Sequence, residues 1–205
     1  MTSTATRSRE NTRARLLDAA AQVFAEAGLD GATVEAVCER AGFTRGAFYS
    51  NFESKDELFL TLAGTVAEER LNAVREQVTG MAAEGALGDA DPVELVQRVM
   101  DAGGDDRLSV MLMSEIRIRA LRDPAFGEAF LAQESELVAS IAEIIRDIVD
   151  TGAIALRLEP DLAARLLMIA WEGMTVRGAM AADGEARLHD IASEALGRLV
   201  EALTV

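Results

Sequence analysis

The stretch at residues 33–52, TVEAVCERAGFTRGAFYSNF, constrains this chain more than any other, because two helical patterns meet there across only three residues. Val34, Val37, Cys38 and Ala41 recur at i, i+3, i+4 and i+7, one apolar stripe of a short helix. Thr33 stands before it as an N-cap hydroxyl. Gly42 then ends the helix by taking φ > 0, and Thr44 supplies a second N-cap, so the chain restarts as a second helix over 45–51. The arrangement is a helix-turn-helix. On the second helix Phe48 and Phe52 are expected to point inward. Its other side offers Arg45, Gly46, Ala47, Tyr49, Ser50 and Asn51: a cation, small groups, a hydroxyl-bearing ring and an amide, suited to groove and phosphate contact.

The run AGFTRGAFYSNFESKDELF, preceded by LLDAAAQVFAEAGLDGATVEAV, resembles the DNA-binding domain of the tetracycline-repressor (TetR) family of transcriptional regulators. The likeness covers residues 12–62 with landmarks at Ala20, Phe24, Gly28, Thr33, Ala41, Gly42, Gly46, Tyr49, Phe52 and Lys55; the rest of the chain shows only the family's helical layout. It implies that Arg45, Gly46, Tyr49, Ser50 and Asn51 approach a major groove, with Ala47 on the same surface. Thr33, Thr44, Tyr49 and Lys55 would reach phosphates. Glu35 departs from the pattern, standing where some relatives place a base-contacting cation. It either accepts from a cytosine amine or complements the helix dipole, and the dipole is the preferred reading. A helical module using the same head for protein contact is the competing function.

Composition points to an all-α chain. Half of its 205 residues are hydrophobic, Pro occurs three times, and alternating β-branched runs are missing. The patterns give about nine helices, three in a DNA-binding head (1–54, including an N-terminal arm) and six in an effector-binding and dimerisation portion (55–205). A single Cys, no signal peptide and no apolar run of membrane length fit a cytoplasmic protein. Cys38 falls on a core stripe and reads as a small core residue rather than a redox sensor. Residues 1–11 read as a disordered arm whose Arg7 and Arg9, with Arg13 and Arg15, either enter a minor groove or stay solvated.

The net charge of −15 is segregated. Residues 1–55 balance Arg7, Arg9, Arg13, Arg15, Arg40, Arg45 and Lys55 against seven acids, so the whole excess lies on 56–205. An acidic body would repel DNA everywhere but at the head, although acidic surfaces are also common in soluble proteins. No phosphate-binding loop, dinucleotide fingerprint, zinc-protease or nucleophile-elbow motif occurs, and the one histidine, His189, sits beside Asp190 with no second ligand, so neither enzyme chemistry, metal nor cofactor is expected.

Ser54 caps a helix running from Lys55 to about Glu84, long enough at 1.5 Å per residue to span about 45 Å and carry a tilt from an effector site to the head. Beyond it, helices are expected over 92–102, 107–121, 125–150, 160–182 and 185–203. Met100, Met111, Met113, Phe126, Phe130, Met168, Trp171 and Met174 are adaptable apolar groups, core by default. Of these Met113, Phe130, Met168 and Trp171, together with Arg117, are the candidate walls of a pocket for a small, largely apolar effector. Arg117, Arg119 and Glu115 are either solvated or turned inward. The last two helices carry more apolar surface (Leu162, Leu166, Ile169, Gly173, Val176; Leu188, Ile191, Leu196, Leu199, Val200, Leu203) than one body covers, which predicts a homodimer on a pseudo-palindromic operator.

Overall fold

The computed structural model describes residues 4–87, 94, 98, 107–152, 154–180 and 185–205, with the side chains of 9–87, 94, 98, 107–152, 154–180 and 194–205. Eight helices occur among them: α1 (Thr4–Gly31), α2 (Val34–Ala41), α3 (Arg45–Tyr49), α4 (Lys55–Ala83), α5 (Arg107–Arg122), α6 (Pro124–Asp150), α7 (Pro160–Met180) and α8 (Glu185–Leu203). The all-α expectation is met, with eight helices in place of nine. The additional helix expected over 92–102 lies largely outside the described residues, as do Met100 and the side chain of His189.

Within the arm expected over 1–11, residues 4–11 depart from expectation, since α1 is already helical from Thr4; residues 1–3 lie outside the described residues. The helix is interrupted at Gly28, which takes a positive φ of 72° with ψ 177°, and a further turn follows to Gly31. Gly42 also has positive φ but lies in the left-handed helical region (φ 72°, ψ 32°), and its amide and that of Phe43 close on the last carbonyls of α2. Ser54 begins α4 as anticipated: its Oγ accepts from the Glu57 amide at 3.0 Å while the Glu57 carboxylate accepts from the Glu53 amide at 2.6 Å.

By packing, the chain forms two compact units. The first comprises Met1–Val66 with Met111–Phe130; the second comprises Ala67–Val110 with Leu131–Val205. The first buries Leu16, Ala20 and Phe24 of α1, Val37 and Cys38 of α2, Phe48 of α3, Leu58 and Phe59 of α4, and Ile116 of α5. Phe24 meets Phe59 edge-on at 6.3 Å, and Phe48 lies 5.7 Å from Phe52. Burying these rings and aliphatic chains, at about 1.5–3 kcal/mol each, is what holds such short helices in place.

In the second unit α7 packs on α8 around buried Leu196, with Leu167, Ala170, Trp171, Met174 and Leu199. Met168 joins Ile141 and Ile145 against Val138, Ala142 and Ala164, tying α7 to α6. The chain's last residues are pinned: the Arg157 amide donates to Leu203 O at 2.8 Å and the Val205 amide to Ala155 O at 2.9 Å. No described helix is long and apolar enough to cross a membrane.

Candidate nucleic-acid interface

The two N-caps of the helix-turn-helix form as their chemistry requires. Thr33 and Thr44 both hold extended backbone angles, and each Oγ1 accepts an amide of the helix it starts, from Ala36 and from Ala47, both at 3.2 Å. A capping hydroxyl still carries its own O–H as a donor, and both threonines are exposed.

Arginines of α1 secure the far ends of α2 and α3. Arg15 Nη2 donates to Ala41 O at 2.8 Å with its guanidinium 4.7 Å from the Phe43 ring centroid. Arg13 donates to Asn51 O at 2.6 Å and to Thr61 Oγ1 at 3.1 Å while lying 4.1 Å over Phe52. Arg9 donates to Ser50 O at 3.1 Å. Cations belong at helix C-termini, where unpaired carbonyls gather. The basic cluster read as an arm is therefore, from Arg9 onward, engaged with the head itself. Glu26 and Arg40 join α1 to α2 through two hydrogen bonds of 2.9 and 2.6 Å, which lowers the Glu26 carboxyl pKa and raises that of the guanidinium.

On the outer surface Arg45, Gly46, Tyr49 and Ser50 are exposed and Ala47 is half-buried. Tyr49 keeps 51% of its surface in solvent while its ring stands edge-on to buried Phe48 at 5.2 Å. Asn51 is a correction: expected on the exposed side, it is 7% exposed, its amide donating to Ala47 O at 2.8 Å. Spacing carried that signal, since Phe48, Asn51 and Phe52 fall at i, i+3 and i+4 on one face. Ser50 Oγ donates to Ala47 O at 2.8 Å, and Lys55 Nζ donates to Leu29 O at 2.9 Å.

A relationship that periodicity missed joins the two helices across their turn. Glu35 Oε1 lies 2.5 Å from Arg45 Nη1, and that guanidinium is 5.9 Å from the Tyr49 ring centroid. The Tyr49 hydroxyl and the Glu35 carboxylate together raise the Arg45 pKa. Burial and the nearby Glu35 charge push the Cys38 thiol up.

Residues 16–62, the segment that builds this surface, match the family described as bacterial regulatory proteins, tetR family. The chain is 29% identical over 175 residues to the transcriptional repressor AcnR of Corynebacterium glutamicum, covering 85% of this chain and 86% of the relative. The head, over residues 16–62, is a TetR-family domain. The fold agrees: a TetR-family regulator of Mesorhizobium loti superposes with a TM-score of 0.73 at 20% identity, covering 96% and 98% of the two chains. The Thermus thermophilus TetR-family repressor FadR, solved with lauroyl-CoA, does so with a TM-score of 0.63 at 22% identity over 92% and 93%. With that domain and such relatives the chain is a DNA-binding transcriptional regulator, and the reading of its head as a protein-contact module falls away.

The effector candidates divide between the two units. Half-buried Met113 and Arg117 and buried Phe130 belong to the first; Met168 and Trp171, both half-buried, belong to separate clusters of the second. Buried Phe126 lies 5.8 Å from the Arg119 guanidinium, and Met174 packs with Trp171. Two further charges of α5 have definite partners: Arg119 pairs with Asp56 at 2.7 Å and Asp123 at 3.2 Å, and Glu115 accepts the Leu29 amide at 2.8 Å.

Proposed function

We propose that this regulator is a homodimeric, cytoplasmic repressor that leaves a pseudo-palindromic operator when a small, largely apolar effector binds. The observation that carries the DNA half is Gly46. It is exposed near the start of the recognition helix, and a Cβ built there would meet nothing closer than Thr44 Oγ1 at 3.7 Å. Packing within the head leaves room for a side chain, and helix propensity favours Ala there. The space it leaves open is suited to a close approach by DNA. Beside it Arg45 would read a base edge, with Tyr49 and Ser50 at the groove and Thr33, Thr44 and Lys55 toward phosphate.

The dimer reading is supported by α7. Leu162, Leu166, Ile169, Gly173, Val176 and Met180 repeat at alternating spacings of four and three, and Leu162, Ile169 and Met180 are exposed. A second copy would cover that seam and set two recognition helices about 34–36 Å apart. We keep 1–54 as the DNA-binding portion and 55–205 as the effector and dimerisation portion. α4, α5 and α6 each contribute to both compact units, so continuous helix is available to carry an effector's bias. The function needs no cofactor, metal or catalytic step.

The lauroyl-CoA of the Thermus relative suggests an acyl chain as the first effector class to try. Selection of duplexes from a random pool by the purified protein should enrich a palindrome, and lauroyl-CoA or a fatty acid of that length should release it while changing the emission of Trp171, the sole tryptophan. A pool with no enriched sequence would overturn the operator reading. Release by polar metabolites and not by apolar ones would overturn the effector class.

A further inference from the structure

We propose that Glu35 is a specificity-determining residue, which holds Arg45 to a base edge and denies it the phosphate backbone; this rests on the operator-binding reading above. Glu35 is the second residue of α2, and in the first turn its charge also complements the helix dipole. The side chain nevertheless reaches across the turn to Arg45 Nη1 at 2.5 Å. Arg45 itself follows the Thr44 cap, and its guanidinium is 5.9 Å from the Tyr49 ring. The three residues form one exposed cluster at the meeting of the two helices, flanked by the exposed threonine caps.

Stability does not account for the pair. The two side chains retain 61% and 59% of their surface in solvent, a setting in which an ion pair contributes little to folding. DNA contact changes the balance because it removes that solvent. A free arginine on such a surface has two outlets, a guanine edge or the nearest phosphate, and phosphate contact carries no sequence information. The carboxylate acts against the second outlet. It neutralises the guanidinium toward a distant anion and repels a phosphate that approaches both groups, while the Arg45 hydrogens not turned to Glu35 or to the Tyr49 hydroxyl can meet guanine N7 and O6. The other Glu35 oxygen is left to accept from a cytosine amine, the one major-groove donor that a carboxylate suits in a G·C pair.

The test compares wild-type protein, Glu35→Gln, Arg45→Ala and the double variant, each full length, by selection from a random duplex pool. Binding of each to the selected operator and to a scrambled duplex is then measured across a salt series, with thermal unfolding to verify folding. Glu35→Gln keeps the shape and removes the charge. It is expected to bind scrambled DNA several-fold more tightly, to lower the operator-to-scrambled ratio about tenfold and to lose preference at one base pair per half-site. The salt slope on scrambled DNA should steepen by about one phosphate contact. In the Arg45→Ala background the same substitution should leave the ratio unchanged. If Glu35→Gln selects the wild-type consensus at every position, or tightens both duplexes equally, the proposal is wrong while the operator reading stands. If wild-type protein enriches no sequence, the operator reading fails, and this proposal with it.

Discussion

The carboxylate of Glu115 on α5 accepts the backbone amide of Leu29 at 2.8 Å, across 86 residues of chain, and the carbonyl of the same residue is held by Lys55 Nζ at 2.9 Å. Leu29 follows Gly28, where α1 turns through positive φ and its hydrogen-bond ladder is broken. Both polar groups of one residue are thus satisfied by side chains, one acidic and one basic. Charge-assisted hydrogen bonds to a part-buried backbone are worth more than neutral ones.

Glu115→Ala should therefore destabilise the protein by about 1–3 kcal/mol, and Glu115→Gln by clearly less, because an amide oxygen can still accept. Urea unfolding of the three proteins measures this. Equal losses for Ala and Gln would mean that charge rather than acceptance holds Leu29.

Arg45→Ala and Lys55→Ala should differ in kind. The exposed Arg45 contributes little to folding, so its loss should leave the melting temperature within a degree or two while costing about 1–3 kcal/mol at one base pair per half-site. Lys55 holds Leu29 O as well as standing at the start of α4, so Lys55→Ala should lower the melting temperature and weaken all duplexes alike. Parallel melting curves and operator titrations separate the two, and matching profiles would sink the distinction.

What was legible in the sequence was local. Thr33, Gly42, Thr44 and Ser54 each act within four residues of themselves, and a cap or a left-handed glycine is written in residue type and spacing. The family landmarks between Ala20 and Lys55 are of the same kind. Pairings that cross elements were not legible: Glu35 with Arg45, Arg13 with Asn51 O and Glu115 with Leu29 depend on which surfaces meet, and helical periodicity reports only which face is apolar. Asn51 is the instructive miss, a polar residue on a core face that amide chemistry alone had placed outside. In the second unit, Met168 and Trp171 are both apolar residues of α7 three apart, and nothing in that spacing tells that one packs toward α6 and the other toward α8.

Gly46→Ala should separate folding from function. Alanine in place of an exposed helical glycine, with a nearest neighbour at 3.7 Å, is expected to stabilise by about 0.5–1 kcal/mol. The same methyl would occupy the surface offered to the groove, so operator affinity should fall at least several-fold. A variant that is more stable and binds equally well would remove Gly46 from the interface.

Cys38 should behave as a core thiol. Burial, reinforced by Glu35, raises its pKa, so the folded state favours the neutral form. The resulting contribution to stability is present below the thiol's unfolded pKa and is lost as pH rises through the folded value, which places any loss in the alkaline range. Iodoacetamide at mildly alkaline pH should label the native protein slowly and the urea-unfolded protein fast. Rapid labelling of the native state would show that the head opens far more readily than its packing implies.

The last prediction concerns how effector and operator oppose each other. Trp171 is half-buried against Leu167, Met174 and Leu196, where α7 meets α8, so Trp171→Ala is expected to cost stability as well as any effector contact. Trp171→Phe keeps most of the apolar volume and is the cleaner probe. It should unfold within about 1.5 kcal/mol of wild type, bind operator within roughly threefold, and respond to lauroyl-CoA at a shifted concentration if the ring lines the site. Linkage then sets a condition independent of which residues touch the ligand. If effector weakens operator binding by some factor, operator must weaken effector binding by the same factor, about 1–3 kcal/mol in typical cases. Titrating lauroyl-CoA into the protein with and without saturating operator, and operator with and without saturating lauroyl-CoA, measures both legs, the second by anisotropy of labelled duplex. Equal factors on the two legs are the expected result. An effector affinity that operator leaves unchanged would place its binding outside the coupling that releases DNA.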